Sequence, residues 1–181
     1  VIAAINVPLI AAMTDPRIRI VYLTVTEGGY YLDAAGALDT AHPDIIHDAN
    51  HPDMPVTAIG AMIAAYRARR DQGIVPFTGQ CCDNLQGNGA ILRQTVVGLA
   101  RLSDPILADW IDQNAAFPDA MVDCIVPATG EAELALVREL GVADNAPVTH
   151  ENFRQWVIED AFCAGRPPWE KVGATLTDDV H

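Results

Sequence analysis

Short apolar runs alternate along this chain with segments of helical periodicity. Residues 18–26 and 77–82 form two such runs, and the first is rich in β-branched side chains. A short, nearly continuous apolar run is typical of a strand that is covered on both faces, as in a parallel α/β sheet. Further short strands are predicted near residues 121–126, 148, 156–158 and 175–177.

Helical patterns separate these strands. Ile59, Met62, Ile63 and Tyr66 have the i, i+3, i+4, i+7 spacing of a helix with one apolar face, which predicts a helix over residues 56–72. Other helices are predicted at residues 2–13, 90–102, 105–114 and 131–140. The alternation of strand and helix favours a doubly wound α/β fold with a mostly parallel sheet flanked by helices.

Residues 31–55 have no clean period and contain three prolines, so they are predicted to form a long connection. This segment also carries three histidines and three aspartates that are suitable in kind for zinc or manganese: His42, Asp44, His47, Asp48, His51 and Asp53. Their spacing matches no established chelate, and Pro-Asp pairs are ordinary turn formers. We therefore expect no metal site.

Composition and charge narrow the classes of function. The 181 residues are 50% hydrophobic and 19% charged, which indicates a folded chain of one domain or slightly more. Eleven basic and 24 acidic residues give a net charge of −13, and so acidic a surface repels phosphate backbones and argues against nucleic-acid binding. No apolar run reaches the roughly 18 to 20 residues that span a bilayer, so no membrane partner is expected. The four cysteines have neither disulfide-framework nor zinc-site spacing, which favours a reducing cytoplasm.

Gly87-Asn88-Gly89 precedes a predicted helix and is similar to half of a phosphate-binding loop. A third glycine and the acidic residue that reads a ribose are both missing from the pattern. We favour the simpler interpretation of a tight turn in which Asn88 caps the helix.

Polar side chains follow two of the predicted strands. Asn84 belongs to Cys82-Asp83-Asn84, at the carboxyl end of a buried strand, where ligands bind in open α/β sheets. Its amide is able to donate a hydrogen bond to an oxygen that gains negative charge during a reaction. Asp123 is a carboxylate in an apolar run and is able to accept hydrogen bonds from substrate hydroxyls. Taken alone, each is equally well explained as a strand-end cap.

Taken together, several segments resemble the polyol-specific long-chain dehydrogenases, the family of mannitol 2-dehydrogenase, fructuronate and tagaturonate reductases and D-arabinitol 4-dehydrogenase. The segments are LTVTEGGY at 23–30, CDNL at 82–85 with Asn88-Gly89, FP at 117–118, MVD at 121–123, IVP at 125–127 and FRQWVIED at 153–160. They occur in the family's order. Within this family, the sequences at 26–30 and 155–160 are most similar to the mannitol dehydrogenase branch.

This resemblance implies a metal-independent, NAD-dependent interconversion of a sugar alcohol and a keto sugar, with NADP as a possible cofactor. It implies that Asn84 is one of two asparagines that stabilise the alkoxide, and that Val122 and Asp123 face the polyol. Thr26, Glu27 and Asn84 would lie beside the nicotinamide end of the cofactor. Two positions depart from the family: Cys124 stands in place of an arginine and Asp119 in place of an asparagine.

The resemblance also implies that residues 1–181 are the second half of a Rossmann-like nucleotide-binding domain. The glycine-rich fingerprint would precede Val1, and the lysine base and the helical substrate domain would follow His181. We therefore expect a fragment that neither binds the cofactor tightly nor turns over on its own. A uronate reductase, and a non-catalytic remnant that binds a nucleotide or a partner, remain the alternatives, and the oligomeric state stays open.

Overall fold

The computed structural model describes residues 2–180, so Val1 and His181, and any prediction that falls on them, lie outside the described residues. The six helices within this range are α1 (Ile2–Thr14), α2 (Pro43–Asn50), α3 (Ala58–Asp71), α4 (Asn88–Ser103), α5 (Pro105–Asn114) and α6 (Glu131–Glu139). The five strands are β1 (Ile20–Leu23), β2 (Thr78–Cys81), β3 (Ala120–Asp123), β4 (Gln155–Glu159) and β5 (Thr175–Thr177). Two 3₁₀ turns occur at Glu27–Tyr30 and Trp169–Val172.

The strands form two sheets. β1 and β2 pair in parallel, with Ile20 opposite Thr78 and Leu23 opposite Cys81. β4 pairs with β3 in antiparallel and with β5 in parallel orientation. The Gly79 N–H donates to the carbonyl of Ala116 at 3.0 Å, which links β2 to the chain just before β3. The predicted α/β class with mostly parallel strands is confirmed.

The core lies between the first sheet and helices α3, α4 and α5. Its fully buried side chains come from all three helices and from the residue that precedes β2: Ile59, Met62, Tyr66, Phe77, Leu92, Val96, Leu107 and Ile111. Pro105 lies in the first turn of α5, and the Asp104 side chain caps that helix by accepting from the Leu107 N–H at 2.9 Å. The helical periodicity of the sequence therefore reflects one shared core.

The structure corrects three predictions of local structure. The connection at 31–55 contains α2, which Pro43 begins and His42 caps, because His42 Nδ1 accepts from the Asp44 N–H at 3.2 Å. No strand of the described range includes Val148, which is highly exposed. β1 is shorter than 18–26 because the N–H groups of Val25 and Thr26 donate to a side chain instead of a neighbouring strand.

Within residues 2–180, every helix is too short or too polar to span a bilayer.

Candidate functional site

The loop after β1 has an unusual backbone. Thr26 has φ 63° and ψ 172°, a combination that is rare for a β-branched residue, and it leads directly into the 3₁₀ turn Glu27–Tyr30. Gly29 folds back on Val25 so closely that a Cβ at position 29 would lie 2.5 Å from the Val25 Cβ. The turn therefore requires glycine at this position.

Asp83, two residues after the end of β2, holds this loop. Its Oδ2 accepts from the Val25 N–H at 3.0 Å and from the Tyr30 hydroxyl at 2.6 Å, and its Oδ1 accepts from the Thr26 N–H at 3.2 Å. The Tyr30 hydroxyl also lies 2.7 Å from the thiol of Cys81. Burial, together with the hydrogen bonds to Asp83 and Cys81, raises the pKa of Tyr30, so its hydroxyl remains a donor at neutral pH.

An open cleft of about 530 Å³ lies between the two strand ends and is called the Asn84 cleft here. It is lined by Thr26, Glu27, Gly28, Asp83, Asn84 and Leu85. Thr26, Glu27 and Asn84 are all exposed. The structure thus brings together the three residues that the sequence placed on the cofactor side, at the carboxyl ends of two parallel strands.

Val122 and Asp123 lie elsewhere. They line a second cleft of about 610 Å³, the aromatic cleft, whose walls include Tyr22, Trp156 and Trp169. Cys82 lines this cleft, while Asp83 and Asn84 line the Asn84 cleft, so the two clefts flank one turn of chain. The predicted polyol-facing residues and the predicted catalytic asparagine therefore belong to neighbouring surfaces.

The aromatic cleft is apolar with a few polar groups. The ring centroids of Trp156 and Trp169 are 5.2 Å apart, and each lies 6.3 Å from that of Tyr22. Burial raises the pKa of Cys82 to about 11 and that of Tyr22 to about 12, so both are protonated at neutral pH. Arg154 also lines this cleft.

The N-terminus of α4 is occupied by a side chain of the protein itself. Asp119 Oδ1 accepts from the N–H groups of Gly89 at 2.5 Å and Ala90 at 3.1 Å. A carboxylate at this position uses the donors that a bound phosphate would need. The use of these donors by Asp119 agrees with the interpretation of Gly87-Asn88-Gly89 that the sequence favoured, which is a turn and not a phosphate-binding loop.

Asn88 joins two strand ends instead of capping the helix. Its amide nitrogen donates to the carbonyls of Asp83 at 3.1 Å and Ala120 at 2.7 Å, and its amide oxygen accepts from the Ala120 N–H at 2.9 Å. The cap position is Gly87, with φ 66°. The tight turn is confirmed, and the capping role predicted for Asn88 is wrong.

The histidine and aspartate side chains at 42–53 are used in local structure. Asp48 accepts from the N–H of Val56 at 2.7 Å and from the hydroxyl of Thr57 at 2.6 Å. His47 lies 3.1 Å from the Asp48 carboxylate and stacks on His51. Across residues 2–180, no three His, Cys, Asp or Glu side chains are grouped so as to hold a metal ion.

Sequence reasoning missed the roles of Asp83 and Asp119. Both side chains bond backbone N–H groups at least 29 positions away, and no sequence period records such a contact. The available signals were indirect: a Gly-Gly pair in the loop that Asp83 holds, and an aspartate where the family pattern has an asparagine.

Comparison with known proteins gives consistent matches. Residues 4–171 match the family described as the mannitol dehydrogenase Rossmann domain. A mannitol 2-dehydrogenase of Cereibacter sphaeroides is 61% identical over 180 residues, which cover 99% of this chain and 38% of that protein. The D-mannonate oxidoreductase of Escherichia coli (strain K12) is 49% identical over 174 residues, 95% of this chain and 36% of that protein. Among solved structures, the Pseudomonas fluorescens mannitol 2-dehydrogenase ternary complex with NAD and D-mannitol matches with a TM-score of 0.87 and 46% identity, over 96% of this chain and 36% of that one. The chain therefore spans a little over a third of the length of these relatives.

Proposed function

The chain belongs to the mannitol dehydrogenase family through its Rossmann domain, and from this premise we propose that the protein containing it is an NAD(P)-dependent dehydrogenase. The reaction would interconvert a polyol similar to mannitol and the corresponding keto sugar. Residues 1–181 would form the later part of the nucleotide-binding domain, in keeping with the third of the relatives' length that they match. The observation that carries the proposal is the Asn84 cleft, where an exposed amide lies between the carboxyl ends of parallel strands.

The residues of the Asn84 cleft suit the nicotinamide end of a dinucleotide. Glu27 presents an exposed carboxylate, which is able to accept hydrogen bonds from ribose hydroxyls. The same charge, together with that of Asp83, disfavours a phosphate group there. Asp119 already occupies the donors at the start of α4. The pyrophosphate would therefore have to be bound by other parts of the protein.

In this proposal each residue has a distinct task. A bound nicotinamide would accept hydride from the carbinol carbon of the polyol, or return it to the ketone. The Asn84 amide would donate a hydrogen bond to the substrate oxygen as it gains alkoxide character. Asp123 would accept hydrogen bonds from other hydroxyls of the polyol, and Val122 would make apolar contact with its carbon chain. The lysine base implied by the family resemblance matches no position in 1–181.

The test compares wild-type full-length protein with Asn84→Ala and with the matched control Asn114→Ala at the exposed end of α5. Asn84→Ala is expected to lower kcat for polyol oxidation by about 10² to 10³, because the alkoxide loses a donor. NADH affinity should remain within a few-fold of wild type, and Asn114→Ala should leave both quantities unchanged. Mannitol, arabinitol and sorbitol are assayed as alcohols and fructose as the ketone.

A wild-type protein that folds yet shows no activity with these substrates or with fructuronate would overturn the proposal and favour the non-catalytic remnant. The isolated 181 residues are expected to show no turnover and only weak NADH binding in a calorimetric titration. Turnover by this chain alone would contradict the assignment of the base to another part of the protein.

A uronate reductase is the second candidate, and the likeness to the E. coli D-mannonate oxidoreductase favours it. Arg154 lines the aromatic cleft, as Asp123 does, and supplies a cation that suits a substrate carboxylate. Efficient reduction of fructuronate, with little reduction of fructose, would select this candidate. An equal loss of fructuronate reduction in Arg154→Ala and in a surface control, Arg138→Ala, would show that Arg154 does not bind the substrate carboxylate.

The cytoplasmic location of the protein stays a prediction.

A further inference from the structure

The backbone of Thr26 is strained. A β-branched residue at φ 63° and ψ 172° occupies a region that glycine alone adopts readily, so the surrounding structure must hold it there. Thr26 is also one of the residues that line the Asn84 cleft. The position of that wall of the cleft therefore depends on whatever keeps this conformation in place.

Asp83 supplies the restraint. Its two carboxylate oxygens accept from the N–H groups of the consecutive residues Val25 and Thr26 and from the buried hydroxyl of Tyr30. The two N–H donors fix the backbone at Val25 and Thr26, and the Tyr30 hydroxyl fixes the last residue of the 3₁₀ turn. Because both oxygens are used by the loop, Asp83 acts on the cleft through its neighbours.

The chemistry of this arrangement requires a carboxylate. An asparagine has one acceptor oxygen, and its NH₂ group would face an N–H or O–H donor, so it is unable to satisfy all three partners. Asp83 also directly precedes Asn84 in the chain. One side chain thus fixes both the Thr26–Gly28 wall and the start of the turn that carries the amide.

We propose that Asp83 is a positioning residue of the Asn84 cleft, which holds Thr26 in its strained conformation and thereby sets the spacing between the Glu27 wall and Asn84. The consequence of this restraint for cofactor binding rests on the proposed function.

The first experiment measures hydrogen exchange in the full-length protein without cofactor. In Asp83→Asn, the amides of residues 25–30 are expected to exchange at least tenfold faster than in wild type, while those of α3 and α5 keep their rates. The matched control is Asp33→Asn, because Asp33 also accepts from two backbone N–H groups, those of Ala35 and Ala37, in an exposed loop. Unchanged exchange at residues 25–30 would overturn the proposal, as would an acceleration spread evenly over the chain.

The second experiment measures NADH affinity by protein fluorescence and uses Thr26→Gly. Glycine adopts the observed φ and ψ without strain, so the requirement for Asp83 should weaken. Asp83→Asn alone is expected to raise the Kd for NADH about tenfold. The same change made together with Thr26→Gly is expected to raise it by less than threefold over Thr26→Gly alone.

Equal losses in the two backgrounds would show that Asp83 does not act through Thr26. If Asp83→Asn does not fold by itself, the pair Thr26→Gly and Asp83→Asn/Thr26→Gly carries the comparison, and a tenfold difference between them overturns the proposal. A full-length protein that binds no NADH would defeat the proposed function, whereas the exchange experiment would still decide the role of Asp83 in the loop.

Discussion

At the scale of single residues, backbone groups that leave regular structure are satisfied by charged side chains from distant parts of the chain. Asp83 does this for the loop after β1, and Asp119 does it for the start of α4. Arg69 plays the corresponding part for backbone carbonyl groups, to which it donates hydrogen bonds. Its buried guanidinium stacks over Phe77 and donates to four of them, on Met13, Asp15, Ile18 and Val75.

Replacing Arg69 should therefore be costly. Arg69→Met leaves four carbonyls of the α1–β1 connection and the β2 approach without their donor, and unfolding free energy is expected to fall by about 3 kcal/mol or more. Urea unfolding of the full-length protein measures this. Arg101→Met, which removes an exposed ion pair with Asp109, should cost less than about 1 kcal/mol. Similar losses in both variants would contradict the structural role of Arg69.

The candidate site was predictable in part at this scale. Strand-end logic identified Asn84, and the family pattern added Thr26 and Glu27; all three line one cleft. The hydrogen bonds of Asp83 were unpredictable because they join residues more than 50 positions apart. The separation of Val122 and Asp123 into the aromatic cleft depends on how two sheets meet, which no local pattern encodes.

At the scale of elements, helices were predicted well because an apolar face repeats over several turns. α3, α4 and α5 end within two residues of their expected limits. α2 was missed because it has only eight residues and the three prolines within residues 31–55 suggested a loop, although Pro43 at the first position of α2 favours a helix. Strand ends were less accurate, since side chains compete for the backbone donors there.

The start of α4 packs against backbone, which gives a test of that element. A Cβ at Gly89 would overlap the carbonyl oxygen of Phe117 and lie 2.6 Å from that of Pro118. Gly89→Ala is therefore expected to lower the free energy of unfolding by about 1–3 kcal/mol. The control is Gly98→Ala in the same helix, where the new Cβ would meet only the flexible Leu38 side chain, at 3.3 Å.

For Gly98→Ala, a neutral effect or a gain of up to about 1 kcal/mol is expected from helix propensity. Urea midpoints of both variants provide the measurement. A neutral Gly89→Ala would mean that α4 does not approach the Phe117–Pro118 backbone this closely.

At the scale of the whole molecule, the family match confirms the resemblance seen in the sequence. The two sheets meet at β2 and the segment before β3, and most buried tyrosine and cysteine side chains lie near the first sheet. Their ionisation therefore reports on the fold as a unit.

Alkaline pH should destabilise this fold. Burial raises the pKa of Tyr22 to about 12 and that of Cys82 to about 11, and it also raises the pKa values of Tyr30 and Tyr66. Unfolded cysteine and tyrosine titrate near about 8.5 and 10, so the folded state holds these protons more tightly. The free energy of unfolding should therefore keep its full value below about pH 8.5 and should fall as the pH rises toward about 12.

Urea midpoints at a series of pH values from 8 to 11 test this. Tyr66→Phe removes one of the raised titrations, so its decline with pH should be shallower than that of wild type, even though its starting stability is lower. A wild-type midpoint that stays constant over this range would contradict the prediction.

The aromatic cleft has an optical consequence. Tyr22 belongs to β1 in the first sheet and Trp156 to β4 in the second, and Trp169 contacts both. Indole rings 5.2 Å apart and inclined at 45° couple their electronic transitions, which gives a circular-dichroism signal that vanishes when the rings separate. Excitation energy would also pass from Tyr22 to the tryptophans over the same short distance. Because Trp156 and Trp169 both belong to the part of the chain that forms the second sheet, their coupling reports on that part, whereas energy transfer from Tyr22 reports on whether the two sheets are assembled.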